Sequence, residues 1–159
     1  MSGILLIHVV ISLVAIISGI VVAYGFLTAD RHNRSTLVYM LTTALTSLTG
    51  FLFPFHGVTP AIIVGIICLL IFIPTALARY TFHLAGLWRA VFVIGALVLL
   101  FFNCLVLIIQ SFQKIPALNA LAPTGNEPPI LAAQVALLVV IVFVGFLSLR
   151  RFHPTLVGA

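Results

Sequence analysis

Apolar residues fall into five long runs, at 4–27, 36–55, 61–78, 84–112 and 130–149, separated by short polar or proline-bearing breaks. Each run lies close to the ~20 residues that a helix needs to cross a bilayer core. The breaks carry clear signals. Residues 28–35 read TADRHNRS, 57–60 read GVTP, and 113–129 read QKIPALNALAPTGNEPP. Gly and Pro end helices, so these stretches are read as turns and one true loop. The pattern predicts an all-α, polytopic membrane bundle of five transmembrane helices forming a single domain over 1–159. The first run has no Lys or Arg before it and no small-x-small cleavage site after it, so it is read as an anchor and not as a cleavable signal.

The second run differs from the others in carrying a polar stripe. Thr42, Thr46, Thr49, Phe53 and His56 stand at helical spacing and share one face. Hydrocarbon offers hydroxyls and imidazoles no partner, so this face is expected to turn toward other helices. The alternative is that the hydroxyls bond their own i−4 carbonyls and serve only as helix glue. On the first run, His8, Ser12, Ala15 and Gly19 form a second narrow face of small and polar residues. The two runs are neighbours and antiparallel, which brings His8 and His56 to the same membrane surface.

Composition reinforces the membrane reading. Of 159 residues 64% are hydrophobic and 6% charged, too few charges to coat a soluble domain. The net charge of +5 does not point to nucleic acid, because the basic residues are scattered. Arg31, Arg34, Arg79, Arg89, Arg150 and Arg151 fall on one side of the predicted bundle and Lys114 alone on the other. Basic loops stay in the cytoplasm, which predicts an external N-terminus, a cytoplasmic C-terminus and an external 113–129 loop. Tyr24, Tyr80 and Trp88 lie near the same cytoplasmic interface. The four prolines of the external loop flank an apolar stretch at 117–122, which either folds back over the bundle mouth or serves as a stiff spacer.

Several chemistries are not supported. Asp30 and Glu127, the two acidic residues, both lie outside the spans. Proton-coupled transport relies on intramembrane carboxylates, and hydrolysis on a carboxylate or an activated nucleophile. Cys68 and Cys104 lack metal-ligand spacing and read as small core residues. No internal repeat suggests an inverted-repeat transporter.

What remains is an outward-facing polar pocket. Gln110, Asn103 and Gln134 reach the level of His8 and His56, with Lys114 and Glu127 at the rim. His8 and His56 are candidate axial ligands of a b-type haem iron. A second pair, His32 with His83, would make a wire of two haems, although His32 sits in a turn. A quinone-like ring is the other candidate ligand, held by His56 and Gln110 beside the Phe-rich FLFPF. Either ligand implies electron transfer. Two further readings stay open: a passive channel or carrier for a small neutral solute lined by Thr42, Thr46 and Thr49, and an accessory subunit, homo-oligomeric or in a larger complex, that docks through the Pro-rich loop.

The runs TSLTGFLFPFHGVTPA, ARYTFHLAGLWR and QSFQKIPALNALAPTGNEPP resemble a family of small bacterial integral membrane proteins of unknown function. The resemblance covers most of the chain and implies a bundle in the bacterial inner membrane. It implies no activity and no site residues. In arrangement only, His8, His56 and His83 are similar to the histidines of helical b-type cytochromes.

Overall fold

A computed structural model describes residues 3–52 and 60–153, with side chains from residue 62 onward in the second of these stretches. Every element among the described residues is a helix: α1 (Gly3–Thr28), α2 (Asn33–Gly50), α3 (Pro60–Tyr80), α4 (Leu87–Lys114), the single turn α5 (Pro116–Asn119) and α6 (Pro128–Arg151). The first, third, fourth and fifth predicted runs correspond to α1, α3, α4 and α6, with ends that move by one to three residues. These four helices are long and apolar enough to cross a membrane. α2 is not among them. It is the run with the polar stripe, and its described helix stops at Gly50, well before the predicted 55.

The bundle is organised around α4. Of its most apolar window 39% is buried, against 6% for α6, so α4 is the axis and α6 an outer stave. α4 packs against α1, α3 and α6, while α2 lies along α1. Small residues let these backbones approach closely, as membrane helices without a hydrophobic drive between them require. At Gly19 of α1, an added Cβ would lie 2.8 Å from both the Tyr39 ring of α2 and Leu100 of α4. Three helices therefore meet at one glycine. The Tyr39 hydroxyl then donates to the Ala96 carbonyl of α4 at 2.7 Å. That bond satisfies the only polar atom of a fully buried ring and pins α2 to the axis.

The two ends of the bundle are built differently. At the end where α1, α3 and α6 finish, Phe26, Phe92 and Phe152 pack edge-on, with centroids 5.6 Å apart for Phe26–Phe92 and 4.9 Å for Phe26–Phe152. All three are buried. Arg79 lies over the Phe92 ring and donates to the Asn33 side chain. Arg89, in the first turn of α4, donates to the carbonyls of Leu149 at 3.1 Å and Phe152 at 2.8 Å. A helix end leaves unpaired carbonyls and a partial negative charge, and a guanidinium answers both. Phe82 and Trp88 stack at 3.9 Å in the connection nearby. The arginines of the chain gather at this end.

α3 and α4 approach each other closely at Gly95. A Cβ at Gly95 would collide with the Thr75 side chain, whose hydroxyl is bonded to the Ile71 carbonyl at 2.7 Å and is fully buried. Gly95→Ala should therefore destabilise the protein by about 1–3 kcal/mol through overpacking. Gly145→Ala, whose Cβ would meet Leu97 at an ordinary 3.5 Å, should be neutral or stabilising by up to about 1 kcal/mol. Thermal unfolding of the two variants in detergent checks the contrast, and equal stabilities would contradict the packing described.

Candidate functional site

The opposite end is hollow. Between the first half of α1, the end of α2, the start of α3 and the second half of α4 lies a cavity of about 550 Å³. That falls inside the range typical of small-molecule sites. Its lining runs on α4 from Phe102 to Ile115 and on α1 from Leu5 to Ile16. At 1.5 Å per residue, the α4 wall is about 20 Å long. Most of the wall is aliphatic or aromatic, with Leu5, Val9, Phe51, Val64, Phe102 and Val106 among its residues.

The polar groups enter at distinct levels. Asn103 lies at the deep end and Gln110 two turns further out, followed by Ser111 and Lys114 toward the mouth. His8 and Ser12 come from α1, Thr46 and Ser47 from α2. Ser12 is back-bonded to the Val9 carbonyl at 2.8 Å. The Thr46 hydroxyl is enclosed and has no hydrogen-bond partner among the described residues. A buried hydroxyl without a partner is unfavourable.

His8 is the most constrained of these groups. Its Nδ1 lies 2.8 Å from the Thr49 hydroxyl. That hydroxyl has one proton, and it points at the Leu45 carbonyl at 2.7 Å. The oxygen is then left to accept, so Nδ1–H of His8 donates to it. In the neutral imidazole this places the lone pair on Nε2. The bond also ties α1 to α2 across 41 residues of chain.

The structure thus gathers His8, Thr46, Asn103 and Gln110 around one cavity, with Thr49 behind His8. Thr42 stands elsewhere. Its hydroxyl is back-bonded to the Val38 carbonyl at 2.7 Å, and it does not line the cavity. The buried face of α2 is instead Thr36, Tyr39, Met40 and Thr43. Gln134 of α6 is half-buried and also lies outside the cavity wall. His56 and Phe53 lie outside the described residues. On the other side, Oδ2 of Asp30 lies 3.8 Å from Nε2 of His32, while His83 is exposed in a left-handed conformation. No cluster of three or more metal-ligating side chains occurs among the described residues. Cys68, Ser47 and Gly65 belong to the wall and were not anticipated. For Cys68 the signal was its place two turns inside the start of the third run, on the level of the cavity; Ser47 and Gly65 carried none.

The 113–129 loop is folded. α5 returns against α4, and Ala122 and Ile130 are buried. The Glu127 carboxylate accepts from the Thr124 backbone N–H and hydroxyl, both at 2.8 Å, and from the Asn126 N–H at 3.0 Å. These bonds, the Thr124 backbone N–H foremost, hold its pKa below the ordinary carboxylate value.

The fold and this cavity define an all-α bundle with four helices able to cross a membrane and a ligand-sized hollow at one end. No family model matches the chain, and neither does any curated protein or solved structure.

A depressed pKa means that the carboxylate stabilises the loop at any pH above its ordinary range, and that this contribution is lost as pH falls through the lowered value. Hydrogen-exchange protection of the Thr124 and Asn126 amides, corrected for intrinsic rates, should be constant from pH 7 to about 5 and fall in more acid solution. Glu127→Gln should lower that protection at neutral pH. Protection unaffected by the substitution would contradict the role given to the carboxylate.

Proposed function

We propose that the chain crosses the bacterial inner membrane five times, α2 included, with the N-terminus and the cavity outside, and that the cavity binds a quinone-like ring for electron transfer. The observation that carries the ligand reading is the cavity's shape and lining: about 20 Å of apolar wall with His8, Thr46, Asn103 and Gln110 set at separate levels. A ring with two hydrogen-bonding oxygens and an apolar tail matches that lining. The amides of Gln110 and Asn103 donate to the carbonyl oxygens of the ring. Electron carriage would be the chemistry of the ring, with the protein supplying position and dryness. Topology is supported by the arginines at the sealed end and Lys114 at the hollow end.

A b-type haem is a second reading, favoured by one feature. An Nδ1–H anchored on a neighbouring oxygen is the arrangement that orients a ligating imidazole. His8 would supply one axial nitrogen, and the proposed partner, His56, lies outside the described residues. A passive channel has less support. Thr42 is spent on its own helix, and the aromatic cluster of Phe26, Phe92 and Phe152 stands across the other end. Docking through the loop, alone or in a homo-oligomer, adds a use for exposed Leu121 but leaves the cavity without a role.

Titration of a short-chain quinone into the protein in detergent, followed by equilibrium dialysis, tests the main reading. Gln110→Leu and Asn103→Leu should each weaken binding about tenfold, the worth of one lost hydrogen bond in a dry site, while Thr42→Val should not change it. Binding that ignores all three substitutions would sink the reading. A Soret band after haem-replete expression, lost in His8→Ala, would transfer the site to haem. For topology, in a variant without Cys68 and Cys104, an impermeant maleimide applied to the outer face should label Lys114→Cys and leave Arg34→Cys unlabelled. The reverse pattern would invert the assignment.

A further inference from the structure

The sealed end carries six arginines, and several of them have evident partners. Arg89 donates to the carbonyls of Leu149 and Phe152. Arg79 donates to Asn33 and lies 5.3 Å from the centre of the Phe92 ring, and Arg150 lies 4.2 Å from that of Phe146. Arg34 and Arg151 are exposed to solvent, and Arg31 is neither partnered in this way nor exposed. Its Nε and Nη2 are enclosed by protein and reach no acceptor. Arg79 is bonded to Asn33, two residues further along, so a second guanidinium reaches the same turn. Asp30, the only carboxylate in the adjoining turn, is occupied with His32: Oδ1 accepts the His32 backbone N–H at 3.2 Å, and Oδ2 lies 3.8 Å from Nε2.

The position of Arg31 is fixed by a rigid turn. The Asp30 N–H donates to the Gly25 carbonyl at 2.9 Å, and the Thr36 hydroxyl donates to the Arg31 carbonyl at 3.1 Å. Ala29 and His32 on either side are left-handed, at φ 59° and 37°. The turn presses on α1 so closely that a Cβ at Gly25 would lie 2.7 Å from the Asp30 carbonyl oxygen. A half-buried guanidinium, fixed by its backbone beside a second cation and given no counter-charge, is unfavourable unless an anion is supplied. Nε and Nη2 are walled in, so a ligand reaches the group at Nη1. The charge is delocalised over all three nitrogens, so an anion there neutralises the whole group.

We propose that Arg31 and Arg79 form a phosphate-binding site at the sealed end of the bundle. On the proposed topology the turn falls at the level of the polar headgroups, where the phosphate of an anionic phospholipid is at hand, and free phosphate offers the same chemistry. Guanidinium groups recognise phosphate oxygens through fixed N–H geometry and charge together. The site lies at the opposite end from the cavity and does not depend on what the cavity binds.

Lipid retention by the intact protein, read by native mass spectrometry and thermal shift in mixed micelles, tests this. Phosphatidylglycerol should be retained and should raise the unfolding temperature, while phosphatidylcholine, whose choline cation cancels the phosphate, should do neither. Arg31→Gln should weaken phosphatidylglycerol binding about tenfold, and Arg150→Gln, at the same end, by less than twofold. Arg31→Lys substitutes for Arg31→Gln if the latter does not fold, with a smaller loss in the same direction. Protection by inorganic phosphate as well as by the lipid, lost in the same variant, would assign the site to the phosphate group itself; protection by the lipid alone would assign it to the headgroup. Equal losses in the Arg31 and Arg150 variants, or no preference for the anionic lipid, would overturn the site in favour of diffuse charge.

Discussion

Hydrocarbon gives a polar side chain no partner, and the architecture of this bundle follows from where each such group finds one. Most hydroxyls solve the problem alone. Ser18, Thr42, Thr75 and Ser111 each bond the carbonyl four residues back, at 2.6–2.7 Å, and need no neighbour. An imidazole or a phenol cannot do that, so His8 and Tyr39 must cross to another helix. Tyr39 crosses to Ala96 in the middle of the bundle, and His8 crosses to Thr49 near one end. These two bonds place α2, the least apolar of the long helices, against α1 and the α4 axis. The aromatic closure at the arginine end and the hollow at the other are then what the remaining side chains can fill. Three phenylalanines fill one end. At the other, a mostly apolar wall broken by a few small and polar residues leaves a space unfilled.

That division bears on function. The end with the aromatic cluster also holds the Arg89 cap on α6 and the Arg79 contact with Phe92. The hollow end has a long apolar wall with few polar groups, each at its own level. Such a surface suits an amphipathic ring better than a stream of water-like solutes, which would require a polar path through the aromatic cluster.

Much of this was legible in the sequence. Apolar runs located four long helices to within a few residues, because bilayer thickness sets their length. The first helix's face of His8, Ser12, Ala15 and Gly19 is the one turned inward, since small residues are the signature of close approach. Counting turns from the helix ends brought Gln110 and Asn103 to the level of His8. The rotation of α2 was not legible. The stripe allows either an inward face or back-bonding, and Thr42 takes the second course. The large ring of Tyr39, which needs Gly19 beneath it, is what turns Thr43 and not Thr42 to the inside. Gln134, on α6, is not part of the cavity wall. The Glu127 staple and the left-handed turn around Arg31 depend on backbone geometry that periodicity does not encode.

The account rests on His8 meeting Thr49 within the membrane, and nitrogen NMR of histidine-labelled protein in lipid bilayers observes that meeting directly. A single His8 signal from the Nδ1–H form, with through-space contact to Thr49 and a shift distinct from exposed His83 and His153, is the expected result. A His8 that matches those exposed residues, and shows no contact with Thr49, would leave the hollow end without the bond that builds it.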